Sequence, residues 1–229
     1  MAFRLATYNA EWMNALFDDT GNLLIDNELS ARYQITRAQQ IGALGTVFQA
    51  IDADGVMVIE APDTSSTRST VVALEIFARH FGLKARKAII GFPSATEQEI
   101  AFLYNPDTLT VRHDPQSPRF DTPHDMPPFG PVTFSKPPLE LHVQTATQTL
   151  RLIGVHAKSK APHGHVSDAA FARISIENRR KQLAECHWLR TRAETHLQAQ
   201  DSLIVMGDFN DGPGMMNMKR HSASPASKS

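Results

Sequence analysis

Apolar and polar positions alternate from Phe3 to Tyr8, the period of a half-buried strand that starts almost at the first residue. Asn9, Ala10, Glu11 and Trp12 follow its C-terminal end. Residues 18–30 are rich in Asp, Asn and Gly, without a period, and read as a loop. From Tyr33 to Ile51 the spacing changes. Ile35, Ala38, Ile41, Leu44, Val47 and Ile51 recur at helical intervals and predict a helix. A short apolar run, Val56 to Ile59, closes on Glu60 and Pro62, the pattern of a buried strand that ends in a carboxylate. Arg68 to Phe81 predicts a second helix, with Val72, Ile76, Ala78 and Phe81 on a shared side and Gly82 placed to stop it.

Strand-like segments follow at 88–92, 99–104, 108–113, 138–143 and 149–155, divided by clusters of Gly, Pro, Asn and Asp. Residues 114–138 are proline-rich and lack a sustained period, so a surface loop over an edge strand is expected there. Residues 163–167 read as another loop. Asp168 to Gln198 predicts a helix about 45 Å long if it is continuous. Ser202 to Met206 predicts a last buried strand that runs into Gly207 and Asp208. Strands and helices alternate early, strands run consecutively later, and a helix and strand close the pattern, which implies a layered α/β fold. Residues 218–229 carry Ser, Ala, Lys and Pro without an apolar pattern, and disorder is expected.

Composition narrows this further. The chain has 229 residues, 41% of them hydrophobic, enough for one large core without a staple. Lys and Arg total 23 against 24 Asp and Glu, a formal charge of -1. That balance excludes a protein held to nucleic acid by bulk charge alone, though not a local basic patch. The single Cys186 excludes a disulfide framework and a Cys-rich zinc site. No run approaches the ~20 apolar residues that span a bilayer, and the N-terminus lacks a signal-peptide pattern. A cytoplasmic protein with no membrane span is expected.

Four predicted strands end in polar groups: Asn9, Glu60, His156, and Asp208 with Asn210. Open α/β sheets place ligands at such ends, although each residue alone could simply cap a loop. Two strings are specific, Val205-Met206-Gly207-Asp208-Phe209-Asn210-Asp211 and Gly154-Val155-His156-Ala157-Lys158-Ser159-Lys160. On these, supported by Glu60 and Asn9 in the same order, the sequence resembles the endonuclease/exonuclease/phosphatase superfamily. These are the DNase I-like metal-dependent phosphodiesterases, and the His156 string is most similar to bacterial nuclease-type members.

The resemblance runs from Arg4 to about Gly214. It implies an α/β fold, a DNase I-like two-sheet sandwich flanked by helices, and hydrolysis of phosphodiester bonds with Mg²⁺, or Mn²⁺ in its place. By the same resemblance Asn9 organises the metal site and Glu60 binds the metal. His156 hydrogen-bonds near the scissile phosphate, Asp208 orients or deprotonates the attacking water, and Asn210 steadies the transition state. These residue types suit the task. Hard cations take carboxylate and water oxygens, and fixed donors stabilise growing negative charge. Lys158, Lys160 and Lys136 are candidate phosphate contacts; Lys158 and Lys160 also read as solvated loop lysines. Arg179 and Gln182, one helical turn apart, are expected to tie the long helix to the catalytic loops. His163 and His165 read as solvent-exposed, and Cys186 as a structural thiol.

Members of that superfamily continue beyond the Gly-Asp-Phe-Asn loop and supply a further Asp and an Asp-His pair. No such pair follows here, and His221 is not assigned that role. Residues 1–214 are therefore read as an incomplete domain lacking the final strands, and 215–229 as a polar tail. A weak or inactive enzyme is expected, with a sheet edge exposed to self-association. Two other readings remain open, a phosphoesterase for small molecules or lipids and a non-catalytic binding remnant.

Overall fold

A computed structural model of the chain describes residues 3–32, 34–116, 124–160 and 168–211. Expectations for 163–167 and 212–229, including His163, His165, His221 and the polar tail, lie outside the described residues.

Two four-stranded sheets make the sandwich. The first has the order β1-β2-β4-β3, built from β1 (Leu5–Asn9), β2 (Gly55–Ala61), β3 (Lys87–Ile90) and β4 (Glu99–Tyr104). The second has the order β10-β9-β8-β5, built from β5 (Thr110–His113), β8 (Leu139–Gln144), β9 (Thr149–His156) and β10 (Leu203–Asp208). β1 runs parallel to β2, and β10 parallel to β9. The remaining neighbours within these two sheets are antiparallel.

Burial on both faces explains the continuous apolar run in β2. Val56 and Val58 pack on the helix side with Phe48, Leu74 and Phe77. Met57 and Ile59 face the sandwich interior with Phe102, Leu139, Leu141 and Leu152. In β8 the alternation is strict. Leu139, Leu141 and Val143 point inward, while Glu140 points outward and meets Arg192 of the long helix at 3.2 Å. Helices therefore cover both outer faces, α1 (Arg37–Ile51) and α2 (Thr70–His80) on the first sheet and α3 (Asp168–Gln198) on the second. Gly154 lets the sheets approach, since a Cβ there would meet Met57 Sδ at 2.5 Å.

Apart from small shifts at strand ends, the structure differs from the sequence reading in three places. α1 begins at Arg37 rather than Tyr33, because Thr36 caps it. Its hydroxyl accepts from the Gln39 amide nitrogen at 3.2 Å, and the Gln39 side chain accepts from the Thr36 backbone at 2.9 Å. α2 begins at Thr70, capped by Ser69, and leaves Arg68 outside to bond the Asn14 and Phe17 carbonyls. The third difference is larger. Residues 124–134 form no plain surface loop. β6 (His124–Asp125) and β7 (Pro131–Val132) pair as a short hairpin, and Met126 and Phe134 are buried against Ala184 and Trp188 of α3. Apolar side chains spaced by prolines carry no period, so this small core left no pattern to read.

Candidate active site

The four polar strand ends meet at one edge of the sandwich. Register brings them there in pairs. Asn9 lies opposite Ile59, the residue before Glu60, in the first sheet. Asp208 lies opposite His156 in the second. Asn9 Nδ2 donates to both carboxylates, to Glu60 Oε1 at 3.3 Å and to Asp208 Oδ2 at 3.1 Å. His156 Nε2 stands 3.9 Å from each of the same two oxygens. Two carboxylates 148 positions apart in the chain thus share one amide and one imidazole as neighbours.

Glu60 reaches this point through a bulge. The partner strand steps from Ile100 to Glu99 while β2 steps from Ile59 to Ala61, so Glu60 is the extra residue. Its φ of 61° is left-handed, and Ala61 resumes packing on the helix side. The extra residue leaves the pleat that would otherwise set the side chain's direction. Gln98, just before β4, then holds the carboxylate from the other side, with Nε2 3.0 Å from Glu60 Oε2.

The second sheet's end is set by glycine and by α3. At Gly207 a Cβ would overlap the Val155 carbonyl oxygen, and φ is 139°. Only glycine lets β10 approach β9 so closely one residue before Asp208. Asn210 has φ of 50°. Its backbone N–H donates to Asp208 Oδ1 at 2.8 Å and its side chain to the Ala157 carbonyl at 2.8 Å. α3 fastens this region through one turn. Gln182 Nε2 donates to the Phe209 and Asn210 carbonyls at 2.9 and 3.0 Å. Glu185 Oε2 accepts from the Lys158 backbone at 2.6 Å, and Lys181 Nζ donates to Ser135 Oγ at 2.7 Å.

Lys136 Nζ lies 3.5 Å from His156 Nε2. Burial pushes the Lys136 ammonium below its usual range, against the pull of Glu60. Burial, and then the Lys136 charge, push the His156 imidazole down to about 4, opposed by Asp208. The ring is therefore neutral at physiological pH. Its Nδ1 is buried with no hydrogen-bond partner among the described residues. Glu185 is pushed up by burial, which outweighs its Lys158 bond and the Lys181 charge. Lys158 enters through its backbone at Glu185, whereas the Lys160 side chain pairs with Asp211, which also takes Arg179 at 3.2 Å.

No group of three or more His, Cys, Asp or Glu side chains suited to a metal occurs among the described residues. The donor set that converges is Glu60 and Asp208, kept together by the Asn9 amide nitrogen. Two hard oxygen ligands of this kind fit a small divalent cation that fills its remaining positions with water and substrate oxygens. They do not fit a soft metal.

No protein-family model matches the chain, and no curated protein matches it in sequence. Solved structures match it in shape. A β-hairpin deletion mutant of beta toxin from Staphylococcus aureus aligns with 95% of this chain and 70% of its own, at 10% identity and a TM-score of 0.51. ANGEL2, described as a 2′,3′-cyclic phosphatase, aligns with 93% of this chain and 54% of its own, at 12% identity and a TM-score of 0.51. The fold is DNase I-like. TDP2 from C. elegans also matches, over 75% of this chain at 14% identity and a TM-score of 0.47, and the chain spans 42% of that structure's length. Within this DNase I-like sandwich, no helix among the described residues is long and apolar enough to cross a membrane.

Gln98 and Glu185 had no place in the sequence reading. Strand pairing is the signal for Gln98, because it precedes the strand that faces Glu60. Helical spacing is the signal for Glu185, one turn after Gln182.

Proposed function

We propose that this site hydrolyses phosphodiester bonds with a divalent cation, Mg²⁺ or Mn²⁺, as nucleases of the resembled superfamily do. The observation that carries the reading is the convergence of Glu60 and Asp208 on the Asn9 amide, with His156 equidistant from both. ANGEL2, which shares the fold, is itself described as a phosphatase. Glu60 and Asp208 would hold the cation, with Asn9 and Gln98 fixing the carboxylates. When bound, the cation neutralises charge on a phosphoryl oxygen and makes a bound water more acidic.

The chain's own groups do the remainder. Asp208, anchored by the Asn210 backbone, orients the attacking water and takes its proton. His156, neutral, hydrogen-bonds to a phosphoryl oxygen. Asn210 keeps a second N–H on Nδ2 beyond the one given to Ala157, a donor for charge that grows in the transition state. Lys136 and Lys158 add positive charge for the substrate phosphate. One such donor is commonly worth about 3 kcal/mol in the transition state.

The test is cleavage of an end-labelled oligonucleotide by the full 229-residue chain, in Mg²⁺ and in chelator. Cleavage should exceed that of Asp208→Ala and vanish with chelator, even if the wild-type rate is low. A wild-type rate equal to that of Asp208→Ala, or unchanged by chelator, refutes the assignment.

A further inference from the structure

Lys136 before β8, Lys158 after β9 and Lys181 on α3 gather at the catalytic end of the second sheet. Glu185, one turn beyond Lys181, is the carboxylate set among them. It accepts from the Lys158 backbone at 2.6 Å, and the charges of Lys181, Lys158 and Lys136 all reach it. Lys181 Nζ donates to Ser135 Oγ at 2.7 Å, beside Lys136 in the chain. An ammonium has more than one N–H to give. The Lys158 side chain has no hydrogen-bond partner among the described residues. Lys160 and Arg179 differ from these, because both are matched by Asp211.

The cluster holds more positive charge than it matches. Burial pushes the Lys181 ammonium below its usual range, against the pull of Glu185, and the Lys158 charge adds to the push. Lys136 feels the same Lys158 charge, although Glu60 and Asp208 of the catalytic centre attract it. Lys158 thus repels both other ammoniums around one buried carboxylate, an arrangement that an incoming anion relieves. Lys181 also lines an open cavity of about 590 Å³ between α3 and the β6–β7 hairpin, with Phe129, Val132 and Arg180. A chain passing from the catalytic centre over Lys136 to Lys181 therefore arrives at a space with an apolar wall.

We propose that Lys136, Lys158 and Lys181 form a subsite for a second phosphate of the substrate, one nucleotide along a nucleic-acid strand from the scissile bond. For the substrate's identity this rests on the phosphodiester reading above; as a binding site it is tested without turnover. Lys136 is shared between the two phosphates, because its Nζ lies 3.5 Å from His156 Nε2. Lys181 serves the second phosphate only. The nucleoside beyond that phosphate enters the cavity, where Phe129 and Val132 give it apolar contact. A strand is favoured over a small phosphoester, because a strand presents a second phosphate and then a nucleoside in that order.

The experiment is fluorescence anisotropy of dye-labelled thymidine trinucleotides with the full chain, in chelator so that nothing is cleaved. One trimer carries both phosphodiesters; in the other, one linkage is a neutral methylphosphonate of similar shape. The charged trimer should bind about tenfold more tightly, the ratio for one partly exposed charge-assisted hydrogen bond. Its affinity should also fall more steeply with salt, by about 0.7 in the log–log slope, one phosphate's share on a single strand. Lys181→Gln, which keeps a donor for Ser135, should close most of the gap between the trimers, with the circular dichroism of the fold retained. Arg190→Gln, which removes an exposed charge elsewhere on α3, should leave the gap in place. No binding of the charged trimer, equal binding of the two trimers, a gap unchanged in Lys181→Gln, or an equal loss in Arg190→Gln overturns the proposal. A gap without cleavage in Mg²⁺ sinks the catalytic reading and leaves the subsite standing, and cleavage without a gap does the reverse.

Discussion

Replacing Gln182 with leucine isolates the bonds by which α3 holds the end of β10. The side chain is 1% exposed. It donates to the Phe209 and Asn210 carbonyls at 2.9 and 3.0 Å and accepts from Arg179 at 2.7 Å. Leucine is nearly as large and an equally good helix former, so neither a cavity nor a propensity change is introduced. Each neutral bond contributes about 1 kcal/mol net, and the bond from the charged Arg179 somewhat more. The loss should be about 3 kcal/mol, or roughly 6–12 °C in Tm for a chain of this length. Urea unfolding followed by circular dichroism measures it, with an unchanged m-value showing that the denatured state is not the cause. Gln182→Glu sharpens the test. It keeps the Arg179 contact but turns oxygen toward both carbonyls, and should cost at least as much. A loss below about 0.5 kcal/mol for Gln182→Leu, or a wild-type stability for Gln182→Glu, would show that these contacts do not hold the strand end.

Four further outcomes follow from the same geometry. Phe102→Ala, in the fully buried interior between the sheets, should cost about 3–5 kcal/mol in urea unfolding. Gly207→Ala should cost about 1–3 kcal/mol by forcing β10 away from the Val155 carbonyl, and should lower oligonucleotide cleavage further by moving Asp208. For Glu60, Mg²⁺ at 10 mM with a Kd on the order of 1 mM would stabilise the wild type by about 1.4 kcal/mol, roughly 3–6 °C by scanning fluorimetry; an equal shift in Glu60→Gln would refute its ligand role. Burial pushes the Asp114 carboxyl up, but the Arg151 bond and the Arg112 charge outweigh it and hold it below the usual range. The unfolded chain therefore takes up this proton first as pH falls. The stabilisation is full above about pH 4 and drains as pH falls through the native value, so Asp114→Asn should be less stable than wild type at pH 7, with the gap closing on acidification.

Elements with a strong period were legible in the sequence. β4 and the 31-residue α3 occupy the expected residues, and the helices and remaining main strands shift only at their ends. Caps account for the helix shifts, because Thr36 and Ser69 act on single backbone groups that periodicity does not weigh. The four polar strand ends were legible too, because an apolar run closed by a polar residue is a local feature. Their convergence was expected from the family resemblance alone, since physically it depends on parallel register between β1 and β2 and between β9 and β10, which no single strand encodes. The hairpin at 124–132 was missed because its buried residues are too few and too irregular to set a period. Gln98 and Glu185 were missed for a different reason. Each acts through one bond to a neighbour distant in sequence, Glu60 and the Lys158 backbone.

The irregular backbone of this site and the bonds around it are two sides of one arrangement. Glu11, Trp12, Glu60 and Asn210 all have positive φ without being glycine, and such residues cost about 1–3 kcal/mol each. All four lie at or just beyond the ends of the strands that carry the site. A regular pleat alternates side chains between two packed faces and offers none to the open edge, so a polar group can be aimed there only where the pleat breaks. The surrounding bonds offset three of these four breaks. Asn9 Oδ1 accepts from Glu11, Gln98 holds Glu60, and Asp208 accepts from the Asn210 backbone. Gln182 and Glu185 pin the two loops that follow β10 and β9. This distribution explains why α3 is long yet weakly amphipathic. Gln182 and Glu185 on its inner face bond loop backbone, and Lys181, Arg192 and His196 meet polar side chains, so together they interrupt the apolar stripe that a helix serving only as a cover would show.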